Sequence, residues 1–85
     1  MNIDKRHFTK AERIFARRLQ ENHIPFKTKI KVNGREVDFI CGRYALDIDG
    51  HEQSGDKNRM LVEAGYVPLH IDNKSAGMID ISFLK

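Results

Sequence analysis

Asp38, Asp47, Asp49 and His51 crowd the stretch Val37–His51, on two segments whose remaining residues are those of core strands. A short register argument brings them together. Asn33-Gly34 is a strong type I′ hairpin signal, with positive φ at both central residues. It pairs Val32 with Arg35, Ile30 with Val37 and Lys29 with Asp38. A second tight turn at Gly42-Arg43 pairs Cys41 with Tyr44, Phe39 with Leu46 and Asp38 with Asp47. Strict alternation then sets Asp38, Asp47 and Asp49 on one face and Val37, Phe39, Leu46 and Ile48 on the other. Like charges directly opposite on a sheet destabilise it. A facing carboxylate pair calls for a cation between its members, and oxygen donors of this kind suit a hard divalent ion.

The surrounding elements follow from local signals. Thr9-Lys-Ala-Glu12 is a capping box that opens a helix, and Ala11, Ile14, Phe15 and Leu19 form its apolar stripe. Pro25 ends that helix near Asn22-His23 by driving Ile24 out of the α region. Phe26–Val32, Arg35–Cys41 and Tyr44–Asp49 read as a three-stranded antiparallel meander, followed by a polar loop from Gly50 to Gly55. Asp56 is placed to N-cap a second helix that buries Met60, Leu61 and Ala64 and ends at Gly65 as its C′ residue. Tyr66–Ile71 is a fourth strand. A right-handed crossover sets it parallel to the third, with Pro68 favouring an edge. Ile79, Ile81 and Phe83 alternate through Met78–Leu84 as a possible last strand. The expected fold class is α/β, more narrowly α+β, in the order α-β-β-β-α-β with helices packed on the sheet.

Eighty-five residues allow one domain, 1–85, with only a modest core, a size at which homodimerisation would help stability. Hydrophobic content of 40% beside 32% charged residues describes an ordinary globular chain. No apolar run approaches the ~20 residues of a membrane span, and no signal-peptide pattern opens the chain. The single cysteine, Cys41, excludes an internal disulfide, suits a reducing cytoplasm and falls on the core face. Net charge is +3, concentrated in Lys5, Arg6, Lys10, Arg13, Arg17 and Arg18 around the first helix and in Lys27, Lys29 and Lys31, which line one face of the first strand. Such density beside a carboxylate site suits a phosphate backbone. His23 and His70 lack metal-ligand spacing and read as structural or surface residues. There is no CxxC, no phosphate-cradling glycine loop and no Ser/His/Asp arrangement, so no small-molecule cofactor is expected.

V-D-F at 37–39, L-D-I-D-G-H at 46–51, D-K-N-R at 56–59 and E-A-G-Y-V-P-L-H-I at 63–71 resemble the restriction-endonuclease-like, or PD-(D/E)XK, nucleases. The likeness is to the compact branch of very-short-patch repair and EDxHD homing endonucleases, and it covers most of residues 10–72. The resemblance implies Mg²⁺ or Mn²⁺ held by Asp38, Asp47 and the backbone carbonyl of Ile48, with DNA as substrate. Where the superfamily usually has a lysine, two residues after the second acid, this chain has Asp49. In the branch without that lysine a histidine activates water, and His51 matches it; the bland alternative is an exposed loop histidine. Asp49 would orient that histidine, bind a second metal or hydrogen-bond the loop.

Glu12 has two readings, as the capping-box acid or as a helix acid reaching the metal site. Asp56 divides between N-cap and active-site acid in the same way. Arg59 pairs with Asp56 or clamps a phosphate, and Lys29 contacts the scissile phosphate or simply pairs with Asp38. Arg13 and Arg17 add to a nucleic-acid-binding surface. The preferred reading is a divalent-metal-dependent endodeoxyribonuclease of low intrinsic specificity, since so short a chain has little surface for base readout, and it would rely on dimerisation or a targeting partner protein. The alternative is a non-catalytic nucleic-acid- or protein-binding module on a degenerate nuclease fold.

Overall fold

Two closed helix ends and two tight turns organise the computed structural model, which describes residues 8–48 and 55–85. Helix α1 (Lys10–Glu21) begins at the expected capping box: the Glu12 N–H donates to Thr9 Oγ1 at 3.2 Å and the Thr9 N–H to Glu12 Oε1 at 2.7 Å. It ends with His23 at φ 57, the Ile24 N–H returning to the Leu19 carbonyl and the His23 N–H to that of Gln20. This Schellman-type closure satisfies carbonyls that the helix leaves open. Strands β1 (Lys27–Val32), β2 (Arg35–Cys41) and β3 (Tyr44–Ile48) form the antiparallel meander. Asn33 and Gly34 both have positive φ at the first turn, and Gly42 supplies it at the second.

Helix α2 (Gly55–Glu63) returns the chain to β4 (Val67–Ile71), which pairs parallel with β3 in the order β1-β2-β3-β4. Pro68 therefore sits on an edge strand, as its missing N–H requires. Gly55 is already helical, so Asp56 lies inside α2 instead of capping it. Gly65, at φ 94, is the C′ residue, with the Tyr66 N–H bonded to Leu61 and the Gly65 N–H to Val62. Leu61 is buried but Ala64 is exposed, because that closing turn carries it away from the sheet.

The sheet has a core on each face. Phe15, Ala16 and Leu19 of α1 pack with Phe39, Cys41, Leu46 and Ile48, whereas Leu61 of α2 packs with Val37, Ile40 and Ala45. Ile14 is partly exposed, its place in the α1 stripe being taken by Ala16. Phe39 is the hub of the first core, its ring lying 5.4 to 6.5 Å from those of Phe8, Phe15 and Phe26.

The expected single apolar face is corrected here, because Val37 and Phe39 belong to opposite cores. Residues two apart share a face in a regular strand. The pleat therefore inverts between them, at Asp38. On the neighbouring strand Phe26 packs with the α1 core and Ile30 with the α2 core, so β1 inverts as well. Lys29 has φ 50 there. The register is unbroken around it, Thr28 pairing with Phe39 and Ile30 with Val37, so one left-handed residue turns the strand over without inserting a bulge. Lys27, Lys29 and Lys31 consequently do not line one face. Lys29 turns toward α1, and alternation from Phe26 sends Lys27 to the other side.

The tail is not a strand. Ser75–Gly77 and Ser82–Leu84 are single 3₁₀ turns, and Ala76, Ile81 and Leu84 are the residues they bury. Asp72 Oδ1 accepts the Ser75 N–H at 2.7 Å and Asp80 Oδ1 the Ser82 N–H at 2.9 Å. These side-chain-to-backbone bonds favour turns over a ladder. Arg18 ties the tail to α1 by donating to the carbonyls of Ala76 and Ile79 at 3.1 and 2.6 Å, which withdraws it from the basic surface. Phe39→Ala, which empties the space between three rings, should cost about 3–5 kcal/mol in a denaturant melt and leave little native population.

Candidate active site

β2 and β3 fork beyond the Phe39–Leu46 pair, and the acids gather at the fork. Asp38 Oδ2 accepts the Ile48 N–H at 2.9 Å, and the Asp38 N–H donates to Asp47 Oδ1 at 3.2 Å. Side chains thus replace the backbone ladder where the strands part. Ile48 takes part through its main chain while its side chain is buried in the α1 core.

From the α1 side, Glu12 Oε2 meets Lys29 Nζ at 3.0 Å and the same ammonium meets Asp38 Oδ1 at 3.2 Å. Lys29 also lies 5.3 Å from the centre of the Phe8 ring, within cation–π range. From the α2 side, Lys57 Nζ meets Asp47 Oδ2 at 2.7 Å and donates to the Glu36 carbonyl at 2.7 Å. Asp38 and Asp47 are therefore joined at the fork but take their cations from opposite faces. This corrects the expectation that they share one face, and the physical reason is the pleat inversion at Asp38.

Both readings of Glu12 are realised at once. One carboxylate oxygen completes the capping box and the other faces Lys29. Burial opposes the charge on Glu12, yet the Thr9 N–H and the Lys29 ammonium outweigh it and hold the carboxyl below its ordinary range. Asp38 goes the other way: burial, reinforced by the neighbouring Glu12 charge, pushes it up to about 6 despite the Ile48 N–H and Lys29. Burial also works against the Lys29 ammonium, but its two carboxylate partners raise it above the usual lysine value. Cys41, pushed up to about 11 by burial, is a core residue and no nucleophile.

Asp56 and Arg59 are exposed on α2, and Arg17 is exposed and Arg13 half-exposed on α1. None of the four is brought against the Asp38–Asp47 fork by a described contact. Asp49 and His51 lie outside the described residues. Lys57 was missed in the sequence, although a lysine in the first turn of the helix that follows β3 is a legible signal. The β4 register places His70 beside Asp47, with a buried Nδ1 that has no hydrogen-bond partner among the described residues. Only the parallel pairing reveals that neighbour, since the two positions are far apart in sequence.

No family model matches the chain, and no curated protein matches it. Among solved structures it is similar to a nuclease. The catalytic domain of the homing endonuclease I-Bth0305I superposes with a TM-score of 0.65 at 26% identity, over 80% of this chain and 80% of that one. The fold is therefore nuclease-like.

The raised Asp38 carboxyl has a measurable consequence. A folded-state value near 6, above the ordinary ~3.9, means that its contribution to stability is present at low pH and lost as pH rises through about 6. In metal-free buffer the melting temperature of Asp38→Asn relative to the parent should accordingly rise between about pH 5 and about pH 7.5. A difference that stays flat across this window would contradict the burial argument.

Proposed function

We propose that this chain is a divalent-metal-dependent endonuclease of the PD-(D/E)XK superfamily that hydrolyses DNA phosphodiester bonds with low intrinsic sequence specificity. The observation that carries the reading is the Asp38–Asp47 link at the strand fork, with Glu12 joined to Asp38 through Lys29, on a fold similar to a homing endonuclease catalytic domain. The three carboxylates Glu12, Asp38 and Asp47 are paired, among the described residues, with two ammonium groups, Lys29 and Lys57. Among the described residues no three His, Cys, Asp or Glu side chains form a ready-made metal cage. Mg²⁺ needs only one or two carboxylates and keeps several waters, so the donor set suits it.

In this proposal Asp38 and Asp47, with the Ile48 carbonyl, hold Mg²⁺ or Mn²⁺. The bound ion supplies an activated water and neutralises charge on the phosphate. The Ile48 N–H keeps the Asp38 carboxylate in place, and in the metal-free chain Lys29, held by Glu12, faces its other oxygen. His51 takes the proton from the attacking water, with Asp49 or Asp56 in support. Arg13, Arg17, Arg59 and the Lys29 ammonium meet the phosphate backbone and position the duplex without reading bases. Residues 1–85 act as one domain, with targeting left to a second copy or a partner protein. Among the described residues no helix is long and apolar enough to cross a membrane.

A second reading, a non-catalytic nucleic-acid-binding module, has one observation in its favour: every described acid of the fork already has a lysine partner. Supercoiled plasmid decides between the two. With Mg²⁺ or Mn²⁺ the parent should nick it, EDTA should stop the reaction, and the Asp38→Asn/Asp47→Asn double variant should lose at least ~10²-fold in rate. Plasmid retardation without cleavage on any duplex, single-stranded or branched substrate would select the binding module.

A further inference from the structure

We infer that Lys29 is the resident counter-ion of the proposed metal site, a positioning residue that a divalent cation must displace from Asp38 in order to bind. The inference rests on the metal-binding part of the reading above. Its basis is how the oxygens are committed. Of the two Asp38 oxygens, Oδ2 is held by the Ile48 N–H and Oδ1 faces Lys29. Of the two Glu12 oxygens, Oε1 is held by the Thr9 N–H and Oε2 faces the same ammonium. Each carboxylate therefore has one oxygen committed to backbone and one left for a cation. Both of the remaining oxygens point at Lys29.

The chain accepts strain to put that ammonium there. A lysine at φ 50 is strained relative to extended backbone. An ordinary extended residue at this point would send its side chain to the α2 face and leave Glu12 and Asp38 buried side by side without a cation. The inverted pleat, the two contacts at 3.0 and 3.2 Å and the Phe8 ring at 5.3 Å all act to hold one positive charge at one place. A divalent ion at Asp38 Oδ1 would lie within a few ångströms of that charge, where two cations repel strongly in a half-buried setting. Metal and lysine are alternatives at that oxygen.

Binding of Mn²⁺ to the 85-residue chain without nucleic acid, followed by the electron-paramagnetic signal of the free ion, tests this. Lys29→Met keeps the stem and removes the charge. It should lower the metal-free melting temperature and yet bind Mn²⁺ about tenfold tighter than the parent. Lys29→Arg keeps the charge and should bind within about threefold of the parent. If Lys29→Met does not fold, Lys29→Gly replaces it, since glycine adopts φ 50 without strain. Unchanged or weaker Mn²⁺ binding in the uncharged variant overturns the inference and leaves Lys29 a structural ion pair. Tighter binding in a chain that cleaves no nucleic acid would uphold the inference while the nuclease reading falls. Absence of Mn²⁺ binding in both parent and variant would sink the metal site and the inference together.

Discussion

A half-buried ammonium between two carboxylates is the constraint around which this small protein is arranged. Lys29 reaches Glu12 of α1 and Asp38 of β2 at once, so a single side chain links the first helix to two strands. Removing a charge from water without a partner is costly, and a buried acid pair without a cation is worse. The capping box, the left-handed residue in β1 and the fork between β2 and β3 all serve to bring these groups to one point.

The same inversion that delivers Lys29 also gives the sheet two apolar faces. A meander with regular alternation would place Val37, Phe39, Leu46 and Ile48 on one side and charges on the other. Turning the pleat at Lys29 and Asp38 divides the apolar residues of β1 and β2 between α1 and α2. A chain of this length buries limited surface, and covering both faces of the sheet uses its apolar residues more fully. The acids are left at the end of the sheet where the ladder opens, and side-chain-to-backbone bonds satisfy the strand groups there.

The basic groups with exposed surface lie on separate elements, Arg13 and Arg17 on α1 and Arg59 on α2, and no described contact joins them to the fork. Arg18 belongs to a different task, since its guanidinium fastens the C-terminal turns to α1. Basic residues counted together in the sequence thus separate into surface groups, a site cation and a structural clasp.

What the sequence determined by itself was local. Thr9 and Glu12 specify the start of α1, Asn33-Gly34 and Gly42 specify both hairpins and their register, and Gly65 specifies the end of α2. Each acts through hydrogen bonds or dihedral preferences within a few residues, which is why each was legible. The motif order that resembles the nucleases is legible for the same reason, as spacing along the chain. The cations that each acid would meet were only partly readable: the Lys29–Asp38 pairing followed from register, but Lys57 beside Asp47 and His70 in the next strand did not. The tail read as a strand because Ile79, Ile81 and Phe83 alternate, yet Asp72 and Asp80 bond the neighbouring backbone and close turns instead. Only the tertiary structure decided which face each acid presents. A strand's alternation is a local rule, but whether it is interrupted depends on how much is recovered by packing both sides of the sheet and neutralising Glu12 and Asp38, and those partners lie on other elements.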